Sequence, residues 1–152
     1  MKKSLSFFAF FLWISIVSAQ TRGETRMQIG GDYGFRTNLL GLSIGAEYFF
    51  AQRISIAPNY TQFFPESGKR STLNMDARLF LTEGRLQWYG MSGLTNNWND
   101  VDGRNYSSTG LNLGFGGDYK FADRLALNPE FKIQLVDERQ FLFRLAIIYI
   151  LN

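Results

Sequence analysis

An all-β, antiparallel up-and-down transmembrane barrel of about eight strands, preceded by a cleaved signal peptide, is predicted by three observations. The first is a repeat: Gly45 to Tyr60, GAEYFFAQRISIAPNY, returns without a gap as Gly116 to Phe131, GGDYKFADRLALNPEF. Tyr48/Tyr119, Phe50/Phe121, Ala51/Ala122, Arg53/Arg124 and Pro58/Pro129 are identical, and Glu47/Asp118, Ile54/Leu125, Ile56/Leu127 and Tyr60/Phe131 keep their chemical type. Each copy is an alternating run, a tight turn and a second alternating run, which is a β-hairpin written twice. The second observation is that apolar residues recur at every second position almost throughout, and no run shows the spacing of three and four that a helix requires. The third is an apolar leader.

The leader opens with Met1-Lys2-Lys3, continues as an oily run from Leu5 to Val17 and ends in Val17-Ser18-Ala19-Gln20. A basic start, a short apolar middle and small residues before a cut are the parts an export signal needs, and the run is too short to span a bilayer comfortably, which disfavours an uncleaved anchor. Cleavage after Ala19 makes residues 1–19 the signal peptide and residues 20–152 the barrel domain. Both lysines of the leader depart with it, so the chain's net charge of +3 falls to +1 for residues 20–152. No basic stripe remains to bind nucleic acid. Cysteine is absent, so backbone pairing and burial must hold the exported domain together without disulfides.

The strands follow in order. The first sets Met27, Ile29, Tyr33 and Phe35 on one face against Gln28, Gly30, Asp32 and Gly34; the second sets Leu40, Leu42, Ile44, Ala46, Tyr48 and Phe50 against Gly41, Ser43, Gly45 and Glu47. After the Arg53 turn, Ile54, Ile56 and Tyr60 oppose Ser55, Asn59 and Thr61. The fourth run opposes Leu73, Met75, Ala77, Leu79 and Leu81 to Asn74, Asp76 and Arg78. Beyond a turn at Thr82-Glu83-Gly84-Arg85, the fifth, Leu86 to Leu94, alternates less cleanly because Tyr89 and Met91 fall opposite Leu86 and Trp88. The sixth places Leu111, Leu113, Phe115, Tyr119 and Phe121 against Asn112, Gly114, Gly116 and Asp118. The seventh places Leu125, Leu127, Phe131, Ile133 and Leu135 against Asn128, Glu130, Lys132 and Gln134. The eighth, Phe141 to Leu151, is apolar on both faces except at Arg144. Runs of this length suit tilted strands crossing a hydrocarbon core, and this number closes the smallest membrane barrels.

Connections at Ala51 to Arg53, Thr82 to Arg85 and Ala122 to Arg124 are short, whereas Pro65 to Thr72 and Leu94 to Thr109 read as longer polar loops. Short turns at one end and longer loops at the other describe a bacterial outer-membrane barrel with its short turns in the periplasm. A soluble lipocalin-type barrel, with the oily face turned inward, is the rival. Two features favour the membrane. The polar face carries many glycines and few charges, which suits a narrow lumen better than a water-facing surface, and aromatics gather near strand ends where an interfacial girdle would lie.

From Gln20 to Asn152 the chain resembles the small outer-membrane barrels of the OmpA-transmembrane, OmpX and OmpW kind, and its repeated aromatic-x-Phe-Ala-x-Arg hairpin is similar to their periplasmic turns. The resemblance implies location in the cell outer membrane, contact with outer-membrane lipid and lipopolysaccharide, and delivery by the barrel insertion machinery. The final strand of such barrels usually ends on an aromatic. Here Tyr149 and Leu151 keep the alternation and Asn152 ends the chain.

Function does not follow from this fold. Acyl-transfer catalysts pair a serine nucleophile with a base, most often histidine, and this chain has neither histidine nor cysteine, so no enzyme, cofactor or catalytic residue is expected. Asn97 to Gly103 offers oxygen ligands but fails the calcium-loop pattern, with Trp98 and Thr109 where acids belong, so no metal is expected either. Three readings stand: a structural or surface-interaction barrel, a conduit or binder for small apolar molecules, and a lipid-modifying enzyme. The first is preferred, as a monomer without nucleic-acid partners. Its lumen is expected to be filled by a charge network of Glu47, Asp76, Arg78, Asp118, Glu130, Lys132 and Arg144. Strand pairing is expected to set Gly116 opposite Glu130, Gly114 opposite Lys132, and Arg144 opposite Lys132. An outer loop carrying Trp98, Asp100, Asp102, Arg104 and Tyr106 would serve interactions.

Overall fold

The computed structural model describes residues 22–152. The leader, its cut after Ala19 and the domain boundary at residue 20 lie outside the described residues. Eight strands follow one another: β1 (Thr25–Gly34), β2 (Leu39–Ala51), β3 (Ile54–Phe63), β4 (Lys69–Phe80), β5 (Leu86–Val101), β6 (Arg104–Ala122), β7 (Leu125–Leu135) and β8 (Arg139–Ile150). Each pairs with its sequence neighbours, and β1 pairs antiparallel with β8 from Arg26 opposite Ile150 to Gly34 opposite Leu142, so the sheet closes and no strand within it is left as an edge. The last residue secures the seam: Asn152 Oδ1 accepts from the Thr25 amide at 2.8 Å and Asn152 Nδ2 donates to the Gly23 carbonyl at 3.1 Å.

The repeated sequence folds as a repeated hairpin. Ala51 pairs with Ile54 and Ala122 with Leu125, leaving two-residue turns at Gln52-Arg53 and Asp123-Arg124. In each copy the pairing slips by one residue just before the turn, at Phe50 and at Phe121, a bulge that absorbs the third residue of the expected Ala-x-Arg turn. The carbonyls of the repeated arginines then accept from the next strand around: Arg53 O from Phe80 N at 2.8 Å, and Arg124 O from Ile150 N at 2.9 Å.

Period-two alternation becomes an outside and an inside. Leu40, Leu42, Ile44, Leu113, Phe115 and Ile147 stand on the exposed face, while Glu47, Asp76, Arg78, Asp118 and Glu130 are fully buried in the lumen. The soluble alternative is thereby overturned: a water-exposed barrel would not present this continuous apolar belt, and a lipid-facing one must. Tyr48, Phe50, Trp88, Tyr119, Phe121 and Tyr149 ring the end that carries the β2–β3 and β6–β7 turns, and Tyr33, Phe35, Tyr60 and Phe141 ring the other. The two strands with impure alternation explain themselves inside. Tyr89 and Met91 of β5 pack on Phe49 and Phe80, and Ile148 and Ile150 of β8 pack on Ala126.

Of two expected loops, one is a hairpin and the other is shorter than expected. The stretch Leu94 to Thr109 is strand almost throughout, because β5 and β6 run on as a paired ribbon to Val101 opposite Arg104, joined by Asp102 and Gly103 at positive φ of 54° and 75°. Asp-Gly is the pair that a tight hairpin turn of this hand requires, and it overrides the polar composition that reads as a loop. The connection expected at Pro65 to Thr72 is shorter, residues 64–68, since β4 starts at Lys69. The asymmetry between the ends comes from the ribbon, and the connections are short at both.

Candidate functional site: the filled lumen and the protruding ribbon

Every residue expected in the lumen network points inward, because each shares strand parity with a polar neighbour. The network gathers around Glu130. Its Oε2 accepts from Arg78 Nη2 at 2.6 Å and from the Tyr89 hydroxyl at 2.7 Å; its Oε1 lies 3.3 Å from Lys132 Nζ and 3.4 Å from Arg144 Nη1. Lys132 Nζ also donates to Asp76 Oδ2 at 2.7 Å. Arg78 reaches the other way, with Nη1 3.3 Å from Glu47 Oε1, and Glu47 accepts from the Ser55 hydroxyl at 2.6 Å.

The β7–β8 register corrects one expectation. Arg144 sits opposite Glu130, two residues from the predicted place opposite Lys132, because the turn closes sooner, with Leu135 opposite Arg139. Like charges directly opposite would repel, and the observed register exchanges that repulsion for attraction. On β6 and β7 the expected pairs are present, Gly116 opposite Glu130 and Gly114 opposite Lys132. The room at Gly116 is taken from the neighbouring strand β5, where Tyr89 lies directly opposite: a Cβ there would stand 2.4 Å from the Tyr89 hydroxyl. Gly93 similarly leaves space for Asp76, whose Oδ1 would be 2.5 Å from a Cβ.

Two charged members were missed. Asp32 holds Arg144 with both oxygens, at 2.7 Å to Nε and 3.1 Å to Nη2, and accepts from Ser43 and Thr61. Arg26 donates to Asp118 Oδ2 at 2.6 Å, Glu24 Oε1 at 2.5 Å and Gln87 Oε1 at 3.3 Å, with its guanidinium over the Phe49 ring at 4.5 Å. Asp32 is visible in the sequence on the polar face of β1, and Arg26 lies two residues before Gln28 on the same face. Polar amides complete the set: Asn112 donates to Asp76 and Asn74, Gln134 to Asn74 and Thr95, and Asn128 to Asp118 and Tyr89.

Five buried carboxylates, Asp32, Glu47, Asp76, Asp118 and Glu130, therefore meet four buried cations, Arg26, Arg78, Lys132 and Arg144. Near-balance of sign with most charges in contact makes a packed polar core. A selective pore would instead line an open path with one sign of charge.

The five residues expected on an outer loop lie on or at the tip of the ribbon. Trp98 and Asp100 are on β5, Asp102 is in the turn, and Arg104 and Tyr106 are on β6, with Asp100 opposite Asn105 and Asn99 opposite Tyr106. Trp98 and Tyr106 are exposed. Thr109 and Ser107 both donate to Asn96 Oδ1 at 3.1 Å, tying the two ribbon strands together. Among the described residues no group of three acids is placed to hold a metal ion.

No protein-family model matches this chain, and no curated protein matches it. Solved structures do. The N-terminal β-barrel domain of OprF from Pseudomonas aeruginosa is 20% identical, with a TM-score of 0.73 over 86% of this chain and 99% of that one. A de novo designed transmembrane β-barrel is 18% identical, with a TM-score of 0.69 over 88% and 100%. Ail, the attachment invasion locus protein of Yersinia pestis, is 17% identical, with a TM-score of 0.62 over 86% and 99%. The fold is that of the eight-stranded outer-membrane barrels. That a designed barrel matches as well as natural ones do underlines that the shape alone carries no activity.

Proposed function

We propose that this chain is a structural barrel of the bacterial outer membrane, plugged by its own side chains, that displays the β5–β6 ribbon at the cell surface for interaction. The observation that carries the reading is the lumen network. A core in which Glu130 ties Arg78, Lys132 and Arg144 together fills the lumen with paired charge, so the β5–β6 ribbon at the rim is the part offered to partners. Catalysis has no part in the reading, because the network carboxylates are engaged with cations and the chain has no histidine or cysteine to serve as base or nucleophile. The protein acts as a monomer in contact with outer-membrane lipid and lipopolysaccharide, placed there by the barrel insertion machinery.

The native absence of cysteine makes the topology directly testable. Asp102→Cys at the ribbon tip should react with a membrane-impermeant maleimide on intact cells, and Asp123→Cys in the β6–β7 turn should react only after the outer membrane is opened. Equal labelling of both, or labelling of the turn alone, would remove the display role.

A further inference from the structure

Arg70, near the start of β4, differs from the cations of the lumen. Arg26, Arg78, Lys132 and Arg144 each meet a carboxylate at 2.5 to 2.7 Å. Arg70 meets none. Its Nη2 donates to Gln140 Oε1 at 2.9 Å and its guanidinium lies 5.9 Å from the Phe63 ring centre; Nε is buried without a partner, and Nη1 forms no hydrogen bond. A half-buried guanidinium with unfilled donors carries a desolvation cost that an acceptor would relieve.

The surroundings are built to supply the rest of such a site. Arg70 lies between two cavities at the ribbon end of the barrel. One, of about 220 Å³, is lined by Thr37, Asn97, Asn99 and Ser108; the other, of about 380 Å³, by Lys69, Asn99 and Tyr106. Three acids line these cavities, and one of them is engaged. Glu138 pairs with Arg36, whereas Asp100, which lines the larger cavity and is the β4–β5 register partner of Lys69, forms no ion pair among the described residues. Asp137, exposed on the β7–β8 turn, lines the smaller cavity and forms no ion pair among the described residues.

We propose that this mouth is a binding site for a tetrahedral oxyanion, a phosphate or sulfate group, anchored by Arg70. The guanidinium offers free N–H donors to two oxygens of the anion, while the amides of Asn97 and Asn99 and the hydroxyls of Thr37 and Ser108 are placed to donate to the others. Lys69 adds positive charge from the adjoining cavity. The site deepens the display reading by giving the mouth a ligand chemistry, and depends on it only for the side of the membrane that the mouth faces.

The test uses the folded barrel in uncharged maltoside micelles and NMR of the arginine side-chain N–H groups, with the Arg70 resonance assigned by its loss in Arg70→Lys. Inorganic phosphate and sulfate should each move that resonance saturably, and several-fold further than chloride at matched ionic strength. In Arg70→Lys the accompanying shifts of the Asn97 and Asn99 amides should shrink towards the chloride level. Asp137→Asn should tighten the phosphate titration, because it removes a like charge. Folding of each variant is read from heat-dependent gel mobility, and if Arg70→Lys does not fold, Asn99→Ala serves in its place and should weaken the Arg70 shift several-fold. Coincident phosphate and chloride curves would overturn the proposal. So would a large movement of the Arg70 resonance on Asp137→Asn without added anion, which would make Asp137 the native occupant. Nanodiscs with and without lipopolysaccharide separate the sources: a resonance already displaced by lipopolysaccharide assigns a membrane-borne phosphate, and one displaced only by added phosphate assigns a soluble ligand. Neither outcome bears on the cysteine-labelling pattern, so the site and the display role fail separately.

Discussion

Glu130 has two carboxylate oxygens and four hydrogen-bonding or charged neighbours, and the consequences of removing it differ from one neighbour to the next. Lys132 keeps Asp76 and Arg144 keeps Asp32, but Arg78 is left with Glu47 at 3.3 Å and Tyr89 loses its acceptor. Glu130→Ala should therefore cost about 3 to 5 kcal/mol by stranding a buried cation, less if water enters. Adding Arg78→Ala should recover part of that loss, whereas adding Arg144→Ala should not, since it strands Asp32 in turn. A double-mutant cycle read by urea titration of folding into lipid vesicles measures the difference. Simple additivity of Glu130→Ala with Arg78→Ala would show that the pair is not coupled. Strand parity was enough to place Glu47, Asp76, Arg78, Asp118, Glu130, Lys132 and Arg144 on one face. It could not show that Arg144 binds Asp32 or that Arg26 binds Asp118, because parity fixes a face: the first pair is set by the closing β1–β8 register, which puts Asp32 opposite Arg144, and the second, across the lumen, by the registers of the strands between.

Among the elements, the twice-written hairpin was legible because its signal is local: alternation, turn residues and alternation again within one short stretch. The ribbon was not, because polar residues at its outward positions imitate a loop, and only the Asp102-Gly103 turn betrays it. The β5–β6 pairing, which sets Tyr89 opposite Gly116, carries a sharper test. Gly116→Ala would set a methyl against the Tyr89 hydroxyl and push the ring from Glu130 and Asn128, an overpacking cost of about 1 to 3 kcal/mol. Gly90→Ala on β5 meets nothing within 4 Å and should leave stability almost unchanged. Comparing the two urea midpoints checks both the register and the position of Tyr89. Equal midpoints would place Tyr89 elsewhere.

For the whole molecule, the strongest evidence is the inversion of a water-soluble protein: charge inside and an oily belt outside, closed without an edge. This was readable from composition and period because a lipid-facing strand must be apolar at every second residue. Leu113→Arg or Leu127→Arg should each cost about 2 to 4 kcal/mol if placed near the bilayer midplane. Ser43→Arg, beside Asp32 in the lumen, is limited instead by space and by the nearness of Arg144. Vesicle-folding titrations in which the lipid-facing variants were the tolerated ones would contradict the orientation. The central claim, that the side chains of this barrel close its own lumen, is tested most directly by single-channel recording of the purified protein in planar bilayers. The account predicts no stable porin-sized steps from the unaltered chain. Large, steady conductance from that chain would contradict it.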